Sequence, residues 1–170
     1  TEALDPEPNP AAELLVLGGD IDSSWGALEC FRGWPVPVLM VAGNHEFDGR
    51  DLETAWPALR ARCTELGLVL LECETLIRQE PSGRRVRIVA TIRWSDFDLF
   101  GAAQRERAMR AGSYFMGVMQ AQRAGSPFGV AAVREEALAC RAWLAQELAK
   151  PVNGAWDATV VVTHFAPSLR

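Results

Sequence analysis

The stretch that most constrains this chain is Val38-Leu-Met-Val-Ala-Gly-Asn-His-Glu46. Val38 to Ala42 is an unbroken apolar run, the mark of a strand covered on both faces. Gly43 lets the backbone turn sharply where that strand ends. Asn44, His45 and Glu46 then follow at the carboxyl end of a buried strand, where open α/β sheets place their ligands. Two further stretches repeat the design: Leu14-Leu-Val-Leu-Gly-Gly-Asp20 and Thr159-Val-Val-Val-Thr-His164. Each apolar run ends in a side chain able to ligate a metal.

Around these runs the pattern alternates strand and helix. Thr1 to Pro10, with three prolines and three acids, reads as a surface loop. Leu14–Leu17 is predicted as a strand covered on both faces, and Ser23 and Ser24 as caps for a helix through about Phe31. Gly33-Trp34-Pro35 ends that helix, and the strand–helix–strand order predicts parallel pairing of the first two strands. Asp51 caps a helix to about Leu66, stopped by Gly67; Pro57 should kink it or delay its start. Strands follow at 68–71, 75–78 and 86–94, the last two joined by a turn at Pro81-Ser-Gly83. A mixed sheet, or a second sheet packed on the first, is therefore expected. Ser95–Phe100 reads as a loop. Gln104–Gln122 is helix-like but interrupted at Gly112 and Gly117. Val130–Lys150 is the clearest helix, with Val133, Ala137, Cys140, Leu144 and Leu148 on one stripe. Thr159–Thr163 is a third buried strand, turned at Phe165-Ala-Pro-Ser168. Arg84, Arg85 and Arg87 read as a solvated face, and Trp94 as packing.

At 170 residues the chain fits one domain, residues 1–170. A net charge of −5 argues against a surface that coats nucleic acid, which leaves nucleic acid only as a substrate. Cys30, Cys63, Cys73 and Cys140 form no C-x-x-C pair, which favours reduced, buried thiols in a cytoplasmic protein. No apolar run reaches membrane-spanning length, so no membrane partner is expected. The absence of a Gly-x-Ser-x-Gly elbow ranks a nucleophile-based hydrolase low, and no P-loop is present.

Asp20 offers a carboxylate that can bridge two cations, and Asn44 a neutral carbonyl oxygen. His45 and His164 are the only histidines. Such a mix of oxygen and nitrogen donors suits borderline divalent ions, and a pair of them clamps an in-line displacement at phosphorus. An imidazole beside them can protonate a leaving alkoxide. Asp22 and Glu46 read as supporting or capping groups, Asp48 and Asp51 as turn and cap residues.

Gly19-Asp20, Gly43-Asn44-His45-Glu46 and Thr163-His164 together resemble the motifs of the calcineurin-like metallophosphoesterase family. A weaker likeness to a bacterial subgroup runs from Ala90 to Gly101. The resemblance implies an α/β fold of two sheets in a sandwich flanked by helices, holding two divalent ions: Mn²⁺, Fe²⁺ or Zn²⁺. It implies Asp20 as the ligand bridging both ions, Asn44 and His164 as ligands of the second, and His45 as the catalytic imidazole. It also implies a phosphoester, mono- or diester, as substrate.

Two motifs of that family are missing. No Asp-x-His precedes Asp20, and no Gly-His-x-His follows His164. The expectation is therefore a fold incomplete at both ends, a portion of a longer enzyme that binds metal weakly alone. The alternative is a metal-free homologue kept as a binding or scaffold module.

Overall fold

The computed structural model describes residues 5–166. The chain is mixed α/β, with two three-stranded sheets, a small hairpin and helices. Strands β1 (Leu15–Leu17), β2 (Val38–Met40) and β3 (Leu68–Leu70) form an all-parallel sheet in that order. After β3 the chain enters β4 (Glu74–Gln79), which turns back antiparallel into β5 (Arg85–Thr91). Later, β8 (Ala158–Thr163) joins the far side of β5 in parallel. Between them come the hairpin of β6 (Gln122–Arg123) and β7 (Ser126–Pro127). One apolar core draws on both sheets, with Val38, Met40 and Leu70 from the first and Ile88 and Ala90 from the second.

Helix α1 spans Leu52–Leu66. The Asp51 carboxylate accepts from the Glu53 amide, which caps it as the sequence predicts, and Gly67 at φ 80° supplies the left-handed stop. Pro57 lies inside the helix, so it does not delay the start. Helix α2 (Arg105–Met119) is continuous through Gly112 and Gly117. Gly112 is there because a Cβ would meet the Phe97 ring at 2.7 Å. Helix α3 (Val130–Leu148) buries Val133, Ala137 and Cys140 as its stripe requires. In its last turn the stripe fails: Leu148 is exposed, while Glu147 is buried.

Several expectations need correction. The segment after Asp20 is a short 3-10 helix, Gly26–Phe31, whose first amide donates to Ser24 Oγ at 3.2 Å. Asp22 holds its start, accepting from the Ala27 amide at 3.0 Å. Strands β1 and β8 are not covered on both faces. Each stands at the end of its sheet, and Val16, Val160 and Val161 are exposed. Of the three strands expected to be covered on both faces, β2, central in the first sheet, is the one buried throughout among the described residues. Arg87 is not solvated: it is buried, reaches the Thr159 hydroxyl and Glu147 carbonyl, and stacks 4.1 Å over Trp156. Trp94 is core, packed on Phe47, Phe128 and Phe165. Residues 5–10 are exposed or half-exposed coil, as expected. The rest of that segment and the end of the predicted turn at 165–168 lie outside the described residues. No helix among the described residues is long and apolar enough to cross a membrane.

Pro57 is exposed and sits mid-helix without an amide hydrogen for the ladder. Pro57→Ala restores that bond at the cost of a freer unfolded chain, a net gain of about 1–2 kcal/mol. Urea denaturation checks this; an unchanged or lower midpoint would show that the ring is accommodated without loss.

Candidate metal centre

The centre is built on contact between the ends of β1 and β2. Past Leu17 the chain runs through Gly18 and Gly19 to Asp20; past Met40 it runs through Val41 and Ala42 to Gly43. These segments press together so closely that a Cβ on Gly19 would lie 2.3 Å from the Gly43 nitrogen. A Cβ on Gly43 would lie 2.1 Å from Asp20 Oδ1 and 2.7 Å from His164 Cε1. No side chain fits at either place. Gly19 also needs its positive φ of 90°, and Asp20 follows in the left-handed region at φ 56°, which Asp tolerates better than most residues.

Glu46 holds these ends in place. It is fully buried, and its carboxylate accepts three backbone amides. Oε2 takes Gly43 N–H at 2.6 Å and Asp20 N–H at 2.9 Å, and Oε1 takes Ile21 N–H at 2.7 Å. Its own carbonyl accepts the Trp25 indole at 2.9 Å. The residue is carried by the short 3-10 turn His45–Phe47, fixed underneath by buried Phe47. Thus a group expected to support the site ties the loop after β1 to the loop after β2.

Asp20, His45 and His164 come together on this frame. Asp20 Oδ1 accepts the His45 backbone N–H at 3.0 Å, which leaves Oδ2 facing both imidazoles. His164 Nε2 lies 3.5 Å from Oδ2, and His45 Nε2 lies 4.0 Å from it. His164 Nδ1 donates to the Gly18 carbonyl at 2.7 Å, so in the neutral ring Nε2 presents a lone pair to the carboxylate. Two acceptors then face each other at a spacing too long for a good hydrogen bond, an arrangement a shared cation completes. The donor set therefore fits a divalent ion at Asp20 and His164. His45 Nδ1 pairs with Asp48 Oδ2 at 2.9 Å, and this contact, more than the Asp20 charge, holds the imidazole pKa above its ordinary value. Asp48, expected as a turn residue, orients the ring.

Asn44 is brought to the same corner by the chain but not by contact. It precedes the 3-10 turn with helical φ and ψ, is half-buried, and its side-chain amide is in no hydrogen bond among the described residues. Asp22 is a cap and stays outside the cluster. An open crevice of about 630 Å³ begins at Phe165, next to His164, and is lined by Arg93, Asp96 and Arg141. Both arginines are already paired with Asp96, at 3.2 and 2.9 Å.

A second cluster escaped the sequence reading: Glu72, Cys73 and Cys140. It is the one group of three acidic, cysteine or histidine side chains, among the described residues, whose ligand atoms all lie within 4.8 Å of one another. Asp20, His45 and His164 are looser than that. No local signal could reveal the second cluster, because its cysteines are 67 residues apart.

Set against protein-family models, curated proteins and solved structures, the chain matches none.

Two measurements check this geometry. Glu46→Gln turns an amide NH₂ toward one of three backbone donors and should cost about 1–3 kcal/mol. An unchanged urea midpoint would show that the clamp contributes nothing. In metal-free protein, an NMR titration should find His45 protonated to higher pH than an ordinary histidine, and Asp48→Asn should lower its midpoint. Identical midpoints would rule out Asp48 as the cause.

Proposed function

We propose that this chain carries the core of a metal-dependent phosphoesterase, which hydrolyses a phosphate mono- or diester with a metal-activated water. The observation that carries this reading is the meeting of Asp20, His45 and His164 at the ends of three different strands, with Asp20 Oδ2 between the imidazoles. The resemblance of Gly19-Asp20, Gly43-Asn44-His45-Glu46 and Thr163-His164 to the calcineurin-like family supports the same reading. So do the two three-stranded sheets that share one core, in keeping with that family's sandwich.

Asp20 and His164 would hold a divalent ion, with Asn44 as a further ligand and Asp20 bridging to a second ion. Bound Mn²⁺, Fe²⁺ or Zn²⁺ would supply Lewis acidity and a hydroxide at neutral pH. The chain's own groups do the rest. Glu46 fixes the backbone of Asp20, so the carboxylate needs no reorganisation when substrate arrives. The Gly18 carbonyl sets the His164 tautomer that leaves Nε2 free. His45 is half-exposed, and Asp48 favours its protonated form, as suits an acid that delivers a proton from Nε2 to a leaving alkoxide.

A second reading is a metal-free binding or scaffold module. The loose spacing of the imidazoles around Asp20 favours it.

Assays of activated and unactivated phosphoesters with Mn²⁺ separate the two. The enzyme reading expects turnover lost with EDTA and restored by Mn²⁺, and lost in Asp20→Asn together with Mn²⁺ binding. His45→Ala should slow poor leaving groups at least about tenfold more than good ones. Equal loss on both would remove His45 as the acid. No hydrolysis of any ester, with no Mn²⁺ bound, would favour the scaffold.

A further inference from the structure

We propose that Glu72, Cys73 and Cys140 form a second metal site, separate from the strand-end centre, which takes one thiophilic divalent cation such as Zn²⁺. Three elements converge there. Glu72 and Cys73 lie in the link from β3 to β4, Cys140 is mid-way along α3, and Thr91 ends β5. The two sulfurs are 3.8 Å apart. Glu72 Oε1 lies 3.5 Å from Cys73 Sγ and 3.6 Å from Cys140 Sγ.

The carboxylate is aimed, not merely near. The Ile92 amide donates to Oε2 at 2.7 Å, and the Thr91 hydroxyl donates to Oε1 at 3.0 Å. Held from behind in this way, Oε1 points between the sulfurs, as an outer group orients a ligand. Cys73 takes a positive φ of 48°, a conformation that a cysteine rarely adopts. That backbone turn brings its thiol against α3. No guanidinium or ammonium pairs with Glu72 among the described residues. Three groups that become anions on losing a proton are gathered without a cation.

Distance separates this reading from a disulfide. A disulfide needs sulfurs at about 2.05 Å. Two thiolates on one tetrahedral Zn²⁺, with bonds of about 2.3 Å, stand about 3.8 Å apart. The other cysteines lack such company: the Cys63 thiol reaches only the Met40 thioether, and neither Cys63 nor Cys30 belongs to a group of three possible ligands among the described residues. Binding is a proton-for-metal exchange with no change of oxidation state. Each thiol, and any proton on Glu72, passes to solvent as the sulfur and oxygen lone pairs bond the cation. The fourth position stays open to water. The bound ion would pin α3 to both sheets, because its ligands come from the β3–β4 link and α3 while Thr91 of β5 backs the carboxylate.

Cobalt(II) is the probe. The reduced, metal-stripped chain should develop a thiolate-to-Co²⁺ charge-transfer band that saturates with one ion per chain, and Zn²⁺ should displace it. Cys73→Ser and Cys140→Ser should each abolish the band, and Glu72→Gln should weaken binding about tenfold or more. Cys63→Ser and Asp20→Asn should leave it intact, so failure here and failure of the phosphoesterase reading are distinguishable. If Cys140→Ser does not fold, the half-buried Cys73→Ser carries the test. No thiolate band with all thiols counted as reduced, or a band that survives Cys73→Ser, would overturn the proposal; the cluster would then be a plain pair of thiols on a carboxyl group.

Discussion

The structure depends on one buried carboxylate. Glu46 accepts amides from two loops that leave different strands, and the His45 amide on Asp20 Oδ1 joins the same two loops. Hydrogen bonds to a charged acceptor contribute about 1.5–3 kcal/mol each, more than ordinary backbone bonds, and a buried donor left unmet costs as much. The clamp therefore outweighs the backbone cost of Asp20 in the left-handed region, which is of order 1 kcal/mol. The strain is tolerated where it turns a carboxylate toward two imidazoles.

The glycines are the other half of the same constraint. With Gly19 and Gly43 in contact, the two loops approach more closely than any side chain allows, and Asp20 comes to rest against Gly43. His164 then fills the remaining side, its ring edge against Gly43 and its Nδ1 on Gly18. Fold and site are thus one problem: the atoms that join β1 to β2 also set the directions of the Asp20 and His164 side chains.

Much of this was legible in the sequence because it is local. The run Val38–Ala42 could only be a covered strand, and Gly43 at its end marked a sharp turn. Caps such as Asp51 and stops such as Gly67 followed from side-chain reach. What failed was non-local. A short apolar run does not say whether its strand is central or at an edge, so β1 and β8 were misjudged. Arg87 looked solvated because its partners, Glu147 and Trp156, lie 60 residues or more along the chain. The role of Glu46 was legible only in outline, since its three donors are set by the tertiary meeting of two loops. Cys73 and Cys140 left no trace in spacing at all.

The account stands or falls on whether Asp20 and His164 act as one ligand set. Zinc titration of the ¹⁵N-labelled chain, followed at the histidine side-chain nitrogens, asks this directly. The account predicts that His164 Nε2 shifts on binding while its Nδ1 keeps its proton on Gly18, and that Asp20→Asn abolishes the shift. Zinc-independent His164 signals, or a shift that persists in Asp20→Asn, would contradict it.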